Sequence, residues 1–138
     1  MASQFQEVIY EGYLGADPDM RYLESGKAVT NFRVASTRVY YKGEGENKEQ
    51  VQETTWLKVA AWGKLAEIVN NLAEKGSHVL VRGTLRVGEN GSPTPFQLKD
   101  GTWAASYELN ASEVRVFSKS SRDEQGDNSP EDSDEAPF

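Results

Sequence analysis

The chain has 138 residues, which is enough for one domain with a hydrophobic core, and its lack of cysteine excludes disulfides, cysteine-ligated metals and a thiol nucleophile. No apolar run approaches the ~18 residues that cross a bilayer, and the first ten residues lack the features of a secretory signal, so we expect a cytoplasmic protein. The net charge of −7 is uneven, because residues 1–117 carry 13 basic and 15 acidic side chains, and the nearly neutral body is therefore compatible with a positive groove.

The first half of the chain is dominated by β-type sequence. The stretch from Gln6 to Leu14 is rich in β-branched and aromatic residues and predicts a strand followed by a turn at Gly15. A second strand region runs from Met20 to about Tyr41 and is interrupted by a turn at Gly26. A long polar loop over residues 42–53 then precedes a third strand region over residues 54–62.

The second half begins with a change of period. Four apolar residues at helical spacing predict one short amphipathic helix that ends at Gly76: Leu65, Ile68, Val69 and Leu72. A strand over residues 78–87, a loop rich in Gly and Pro over residues 88–101 and a last strand over residues 103–117 follow. In the last strand the inward positions are odd at Trp103, Tyr107 and Leu109 but even at Val114 and Val116, which predicts a bulge near Ser112.

This order of elements, three strand regions, a helix and two further strands, is that of the five-stranded OB barrel. We therefore predict an all-β fold with one short helix. The predicted domains are an OB-fold domain over residues 1–117, a disordered polar linker over 118–129 and an acidic tip over 130–138.

The third strand region carries the clearest functional pattern. Its odd positions are mostly apolar, whereas Trp56, Lys58 and Trp62 share the opposite face. For either indole alone, a core or subunit-interface position is the favoured interpretation. Rings alternating with cations on an exposed sheet are, however, what single-stranded nucleic acid needs for base stacking and phosphate contact. Arg33 on the second strand, and Arg82 and Arg86 on the fourth, are expected to extend this face.

Four segments resemble the family of bacterial and organellar single-stranded DNA-binding proteins: VIYEGYLGADPDMRY, TTWLKVAAWGKLAEI, EKGSHVLVRGTL and the final DEAPF. The likeness is close over residues 6–87, looser over the last strand, and returns at the tip. It implies an OB-fold homotetramer that wraps single-stranded DNA with little sequence preference and recruits replication and repair proteins through its C-terminal tip.

By position, the resemblance implies that Trp56 is a stacking residue, that Trp62 occupies an aromatic position and that Tyr40 or Tyr41 stands near a further family tryptophan. It also implies that Lys64 is a basic contact. Two features depart from the family. Leu57 replaces a common histidine, which makes it the first place to look for an altered subunit interface, and the loop over 88–101 has Phe96 as its only aromatic residue, which we include among the candidate DNA contacts.

The acidic tip ends in an aromatic ring. Residues 118–135 contain no apolar side chain apart from Pro130, so this stretch is expected to stay disordered and Phe138 is not expected to serve a core. A solubilising tail would explain the composition. The resemblance favours a partner-binding role, for which the candidate residues are Asp132, Asp134, Glu135, Pro137 and Phe138.

Other classes are less well supported by the sequence. His78 is the only histidine, the carboxylates show no catalytic pairing, and no phosphate-binding glycine loop follows a strand, so neither an enzyme nor a bound metal or cofactor is expected. A primosome-type OB adaptor that binds DNA weakly and an OB module for oligosaccharides are the alternatives within the fold.

Overall fold

The structure is a computed structural model that describes residues 1–118. Its elements in chain order are β1 (Val8–Leu14), β2 (Asp19–Tyr22), β3 (Ala28–Lys42), a short 3-10 turn (Gly45–Asn47), β4 (Glu49–Trp62), α1 (Lys64–Leu72), β5 (His78–Leu85), β6 (Phe96–Gln97), β7 (Trp103–Ala104) and β8 (Tyr107–Ser118). The predicted fold class, a β barrel with one short helix, is confirmed.

The barrel closes by strand pairing around one sheet. The order is β1-β5-β8-β4-β3-β2, and β1 also pairs with β3 through Tyr13 and Leu14. Gly12 makes this closure possible, because a β-carbon at this position would lie 2.1 Å from the carbonyl oxygen of Ala35 on β3. The contact between β4 and β8 is parallel, whereas the other pairings in the barrel are antiparallel.

The core lies inside the barrel, and α1 covers one end of it. Inward residues of the long strands, such as Val34, Val59, Val81 and Leu109, are almost completely buried. The helix contributes Val69 to this cluster. Thr30 fixes the helix further, since its buried hydroxyl donates a 2.7 Å hydrogen bond to the carbonyl oxygen of Ala66.

The helix differs from its prediction in extent and in the face that it buries. It ends at Leu72, four residues before Gly76. Ala66, Val69 and Ala73 are buried, whereas Ile68 and Leu72 of the predicted apolar stripe are 40% and 51% exposed. Small side chains let the helix backbone approach the barrel closely, and the larger residues at the margin of the stripe remain in solvent.

Half of the predicted long loop over residues 42–53 is strand. β3 and β4 stay paired as far as Lys42 and Glu49, so only residues 43–48 connect them. The outer part of this hairpin is polar because it projects into solvent. Cross-strand pairs stabilise it there, including an Arg38–Glu53 ion pair at 3.1 Å.

The last predicted strand is divided in two. Trp103 belongs to β7, which pairs only with the short β6, and β8 starts at Tyr107. Both Trp103 and Tyr107 are 67% exposed, so their predicted inward orientation was wrong. The bulge prediction is confirmed, because Arg82 pairs with Glu113 and Gly83 with Ala111, which leaves Ser112 as the extra residue.

Leu57 does not lie at a surface of the single chain. Its side chain is 3% exposed and belongs to the barrel core, as its odd position on β4 requires. The expectation of an altered subunit interface at Leu57 is therefore wrong. Leu57 acts through packing inside the barrel.

No helix within residues 1–118 is long and apolar enough to cross a membrane. Within the same residues, no three His, Asp or Glu side chains gather in a way that could hold a metal ion.

Candidate nucleic-acid interface

The register of β3 against β4 builds a mixed aromatic and basic surface on the outside of the barrel. Arg33 pairs with Lys58, and Ala35 pairs with Trp56. Trp56 and Trp62 are 44% and 36% exposed, so both indoles are available to a ligand. The structure therefore brings together the central residues that the strand alternation predicts.

Cations lie over the aromatic rings of this surface. The guanidinium carbon of Arg33 is 4.9 Å from the centre of the Trp56 ring, and the ammonium of Lys58 is 5.3 Å from the Phe96 ring. Lys27, which the sequence reasoning did not single out, holds its ammonium 5.5 Å from the Trp62 ring. Each contact at an exposed site stabilises by only about 0.5–1 kcal/mol. A base that stacks on the indole can therefore displace the cation, which is then free to contact a phosphate.

Gly15 supports the position of the Trp56 indole. A β-carbon at this glycine would lie 2.6 Å from Cζ3 and 2.7 Å from Cη2 of the ring. The backbone φ at Gly15 is not in the left-handed region, so the requirement for glycine comes from the close approach of the indole. The turn after β1 thereby sets where the ring lies.

A first cleft, which we name the stacking cleft, has a volume of about 390 Å³. It combines an indole, two cations and hydroxyl groups, and the residues that line it are Arg33, Thr54, Thr55, Trp56, Lys58, Ala105, Ser106 and Tyr107. No carboxylate belongs to this lining. Sequence reasoning missed Tyr107 as a site residue, because alternation along the last strand assigned it to the core.

A second cleft, the mixed-charge cleft, shares Arg33 and Lys58 with the first and has a volume of about 370 Å³. Arg86 reaches this cleft, as the sequence predicts. Three carboxylates also line it, those of Asp17, Asp19 and Glu108, and the remaining lining residues are Ala16, Asn31, Phe32, Val59, Ala60 and Leu109. The cleft therefore offers both hydrogen-bond donors and acceptors.

Other predicted contacts surround these clefts without lining them. Tyr40 and Tyr41 lie on the projecting hairpin beneath Arg38 and Lys48, at 4.6 Å and 5.6 Å. Lys64 is the first residue of α1 and is exposed. By strand alternation, Tyr41 is on the face of β3 that carries Arg33, whereas Tyr40 is on the opposite face, so the structure brings only one of the two tyrosines to the Arg33 face.

Arg82 is not brought to this surface. Its guanidinium donates hydrogen bonds of 2.9 and 3.0 Å to Glu7 and one of 3.4 Å to Glu113. The hydrogen bonds to Glu7 are the main cause that raises the pKa of Arg82 above its ordinary value. Arg86 has the same parity, but β5 ends at Leu85, so strand alternation no longer fixes the direction of Arg86.

The five candidate partner-binding residues of the tip, Asp132, Asp134, Glu135, Pro137 and Phe138, lie outside the described residues. The predicted linker and tip fall outside them as well, except for Ser118, which is the last residue of β8.

A closed five-stranded barrel with an exposed face of rings and cations defines an OB-type binding protein. Residues 5–117 match the model of the single-strand binding protein family, and the chain belongs to that family. The expectation that the chain is not an enzyme agrees with a family named for binding.

Two curated relatives show the extent of the likeness. A "Single-stranded DNA-binding protein" of Xanthomonas campestris pv. campestris is 35% identical over 117 residues, which cover 85% of this chain and 63% of that protein. A protein of the same name from Neisseria meningitidis serogroup A is 32% identical over 111 residues, which cover 80% of this chain and 59% of that protein. The chain thus spans about three fifths of the length of these relatives.

Proposed function

We propose that this chain binds single-stranded DNA with little sequence preference through the outer face of β3 and β4. The observation that carries the proposal is the Arg33–Trp56 contact at 4.9 Å beside the stacking cleft. An exposed indole offers a stacking surface to any base, and the neighbouring cations offer charge to any phosphate. Neither interaction depends on the identity of the base.

The proposed contacts follow a path over the barrel. Trp56, Lys58, Arg33 and Tyr107 form its centre at the stacking cleft. Trp62 and Lys64 continue it toward α1. Arg86 lines the mixed-charge cleft, and Phe96 lies beside Lys58. Tyr41, which has the same parity on β3 as Arg33, continues the path along the hairpin. The relatives named for single-stranded DNA binding support this choice of ligand.

The proposed assembly is a homotetramer. On the side of β1 away from β5, only Tyr13 and Leu14 pair with another strand of the described residues, and Gly12 lies against Ala35 of β3, so the edge from Val8 to Glu11 has no strand partner there. An open edge with free backbone donors and acceptors is suited to pairing with a second copy. Ile9, which is 59% exposed on this strand, would gain burial in such a pairing.

The proposed cellular role is to cover and protect single-stranded DNA during replication, recombination and repair in the bacterial cytoplasm, at the nucleoid. Partner proteins would be recruited through the acidic tip, where carboxylates steer toward a basic pocket and Phe138 fills an apolar slot. The tip carries no residue of the proposed DNA surface, so the two functions are separable by truncation.

Ligand class is tested by titrating the protein with a thymine oligonucleotide, a duplex of equal length and a neutral oligosaccharide. We expect quenching of tryptophan fluorescence by the single-stranded oligonucleotide alone, because only it can present unpaired bases to the indoles. Equal quenching by the sugar would favour the oligosaccharide reading, and no response to any ligand would overturn the proposal.

A further inference from the structure

The two clefts on the DNA-binding face have different charges. The stacking cleft is lined by cations and hydroxyl groups, whereas the mixed-charge cleft is lined by the three cations Arg33, Lys58 and Arg86 and by an equal number of carboxylates, those of Asp17, Asp19 and Glu108. The formal charges of this lining balance, so a phosphate is attracted less strongly here than in the stacking cleft, which has two cations and no carboxylate. A nucleobase, which is neutral and carries N–H donors, is the component of DNA suited to such a lining.

Glu108 is the carboxylate that is free to accept from a ligand. Asp17 already accepts a 2.8 Å hydrogen bond from the backbone N–H of Lys75, and Asp19 accepts one of 3.0 Å from Arg21. Within residues 1–118, the Glu108 carboxylate accepts no hydrogen bond, and its only charge partner is Arg86 at 3.6 Å. The Glu108 side chain is only 24% exposed, so a ligand donor would replace little water at its oxygens.

The backbone places this carboxylate and guanidinium side by side. Glu108 pairs with Lys58 in the parallel contact between β8 and β4. The backbone N–H of Arg86 donates a 3.0 Å hydrogen bond to the carbonyl oxygen of Glu108. A hydrogen-bond acceptor and a donor therefore stand next to each other on a framework of strands.

The cleft has space for a base. Its volume of about 370 Å³ lies within the ~300–1,000 Å³ that is usual for small-ligand sites. Ala60 lies between Lys58 and Trp62 on the same face of β4, and its small side chain, 3% exposed, leaves the hollow that larger residues would fill.

We infer that the mixed-charge cleft is a base-selective subsite that favours guanine, an inference that rests on the proposed function. The Watson–Crick edge of guanine presents O6 beside two N–H donors, N1–H and N2–H. Arg86 would donate to O6, and the two oxygens of Glu108 would accept from the two N–H groups. Thymine offers only one N–H to the same pair. Overall binding stays broad, because the stacking cleft does not discriminate, but strands that contain guanine bind more tightly.

The test compares thymine oligonucleotides of one length that carry evenly spaced, isolated guanines with oligonucleotides that carry hypoxanthine at the same positions. Hypoxanthine differs from guanine only by the missing N2 amine, so the comparison removes differences in ring size and stacking. Competition at fixed salt should give guanine an advantage of roughly fivefold or more, as expected for one good two-point base contact.

Two variants locate the effect. Glu108→Gln should reduce the guanine-to-hypoxanthine ratio to about one, whereas Glu53→Gln should keep it, because Glu53 is an exposed hairpin carboxylate outside both clefts. A wild-type ratio of one, or a ratio that Glu108→Gln leaves unchanged, overturns the inference and leaves the proposed function intact. If the wild type does not bind single-stranded DNA at all, both the proposed function and this inference are overturned.

Discussion

The six-membered ring of Trp56 lies against Gly15 so closely that a β-carbon on this glycine would stand 2.6 Å from Cζ3. The position of the Trp56 indole, which is the proposed stacking group, is therefore set by a turn far from it in the chain. The turn after β1 needs a residue without a β-carbon at Gly15, because the indole from β4 occupies that space.

Gly15→Ala should consequently weaken single-stranded DNA binding while leaving the barrel folded, since the obstructed group is a ring at the surface. We expect a loss of about 1–3 kcal/mol in binding, comparable to the loss of one stacked base. Anisotropy of a labelled thymine oligonucleotide measures the affinity, and thermal unfolding monitors the fold.

A second glycine and a double variant serve as controls. Gly12→Ala would place its β-carbon 2.1 Å from a backbone oxygen at the closure of the barrel, so it should lower the unfolding temperature. Gly15→Ala combined with Trp56→Ala should bind no more weakly than Trp56→Ala alone. Additive losses of affinity would mean that Gly15 affects binding independently of Trp56.

Tyr107 is expected to be a stacking residue that acts with Trp56. It is 67% exposed and lines the stacking cleft. Tyr107→Ala should weaken binding of a thymine oligonucleotide by about 1–3 kcal/mol, whereas Tyr107→Phe should retain most of the affinity because the ring remains. An equal loss in both variants would assign the effect to the hydroxyl group and contradict stacking.

The open edge of β1 predicts a specific weakness in assembly. Ile9→Glu should dissociate the tetramer into smaller species, because it places a charge where the strands of two copies would meet. Leu72→Glu is the matched control, since Leu72 is a similarly exposed apolar residue on α1. Light scattering at micromolar concentration reports the mass, and a monomeric wild type would contradict the proposed assembly.

The acidic tip is predicted to act through its final ring. Deletion of Phe138 should abolish retention of replication and repair proteins from a bacterial lysate while leaving oligomeric mass and DNA affinity unchanged. Deletion of Ser133 provides the matched control, since it also shortens the segment by one residue but keeps the final ring. Identical sets of retained proteins with and without Phe138 would mean that the tail only solubilises.

Much of the site could be predicted from local alternation. The strand pattern placed Trp56, Lys58 and Trp62 on one face, and a change of parity located the bulge at Ser112. Both depend on neighbours within one strand, where the side-chain period is fixed at two.

What could not be predicted depends on distant pairings and on where strands end. Arg82 donates a hydrogen bond to Glu7, which is 75 residues away in the chain. The sequence of its own strand therefore could not show that Arg82 is kept away from the proposed DNA surface. Tyr107 has the same parity as the buried Leu109, but it is the first residue of β8 and is exposed, so alternation alone could not predict its exposure. The polar hairpin looked like a loop, since strands that project into solvent need no apolar face.

The central claim is that exposed indoles on β4 bind single-stranded DNA by stacking. The most direct test measures the affinity of a labelled thymine oligonucleotide for the wild type, Trp56→Ala, Trp62→Ala and the control Trp103→Ala, whose ring is exposed but lies on β7, outside the proposed path. We predict losses of about 1–3 kcal/mol for the two β4 variants and a smaller loss for the control, with an affinity that falls as salt rises. Unchanged affinity in both Trp56→Ala and Trp62→Ala would contradict the account.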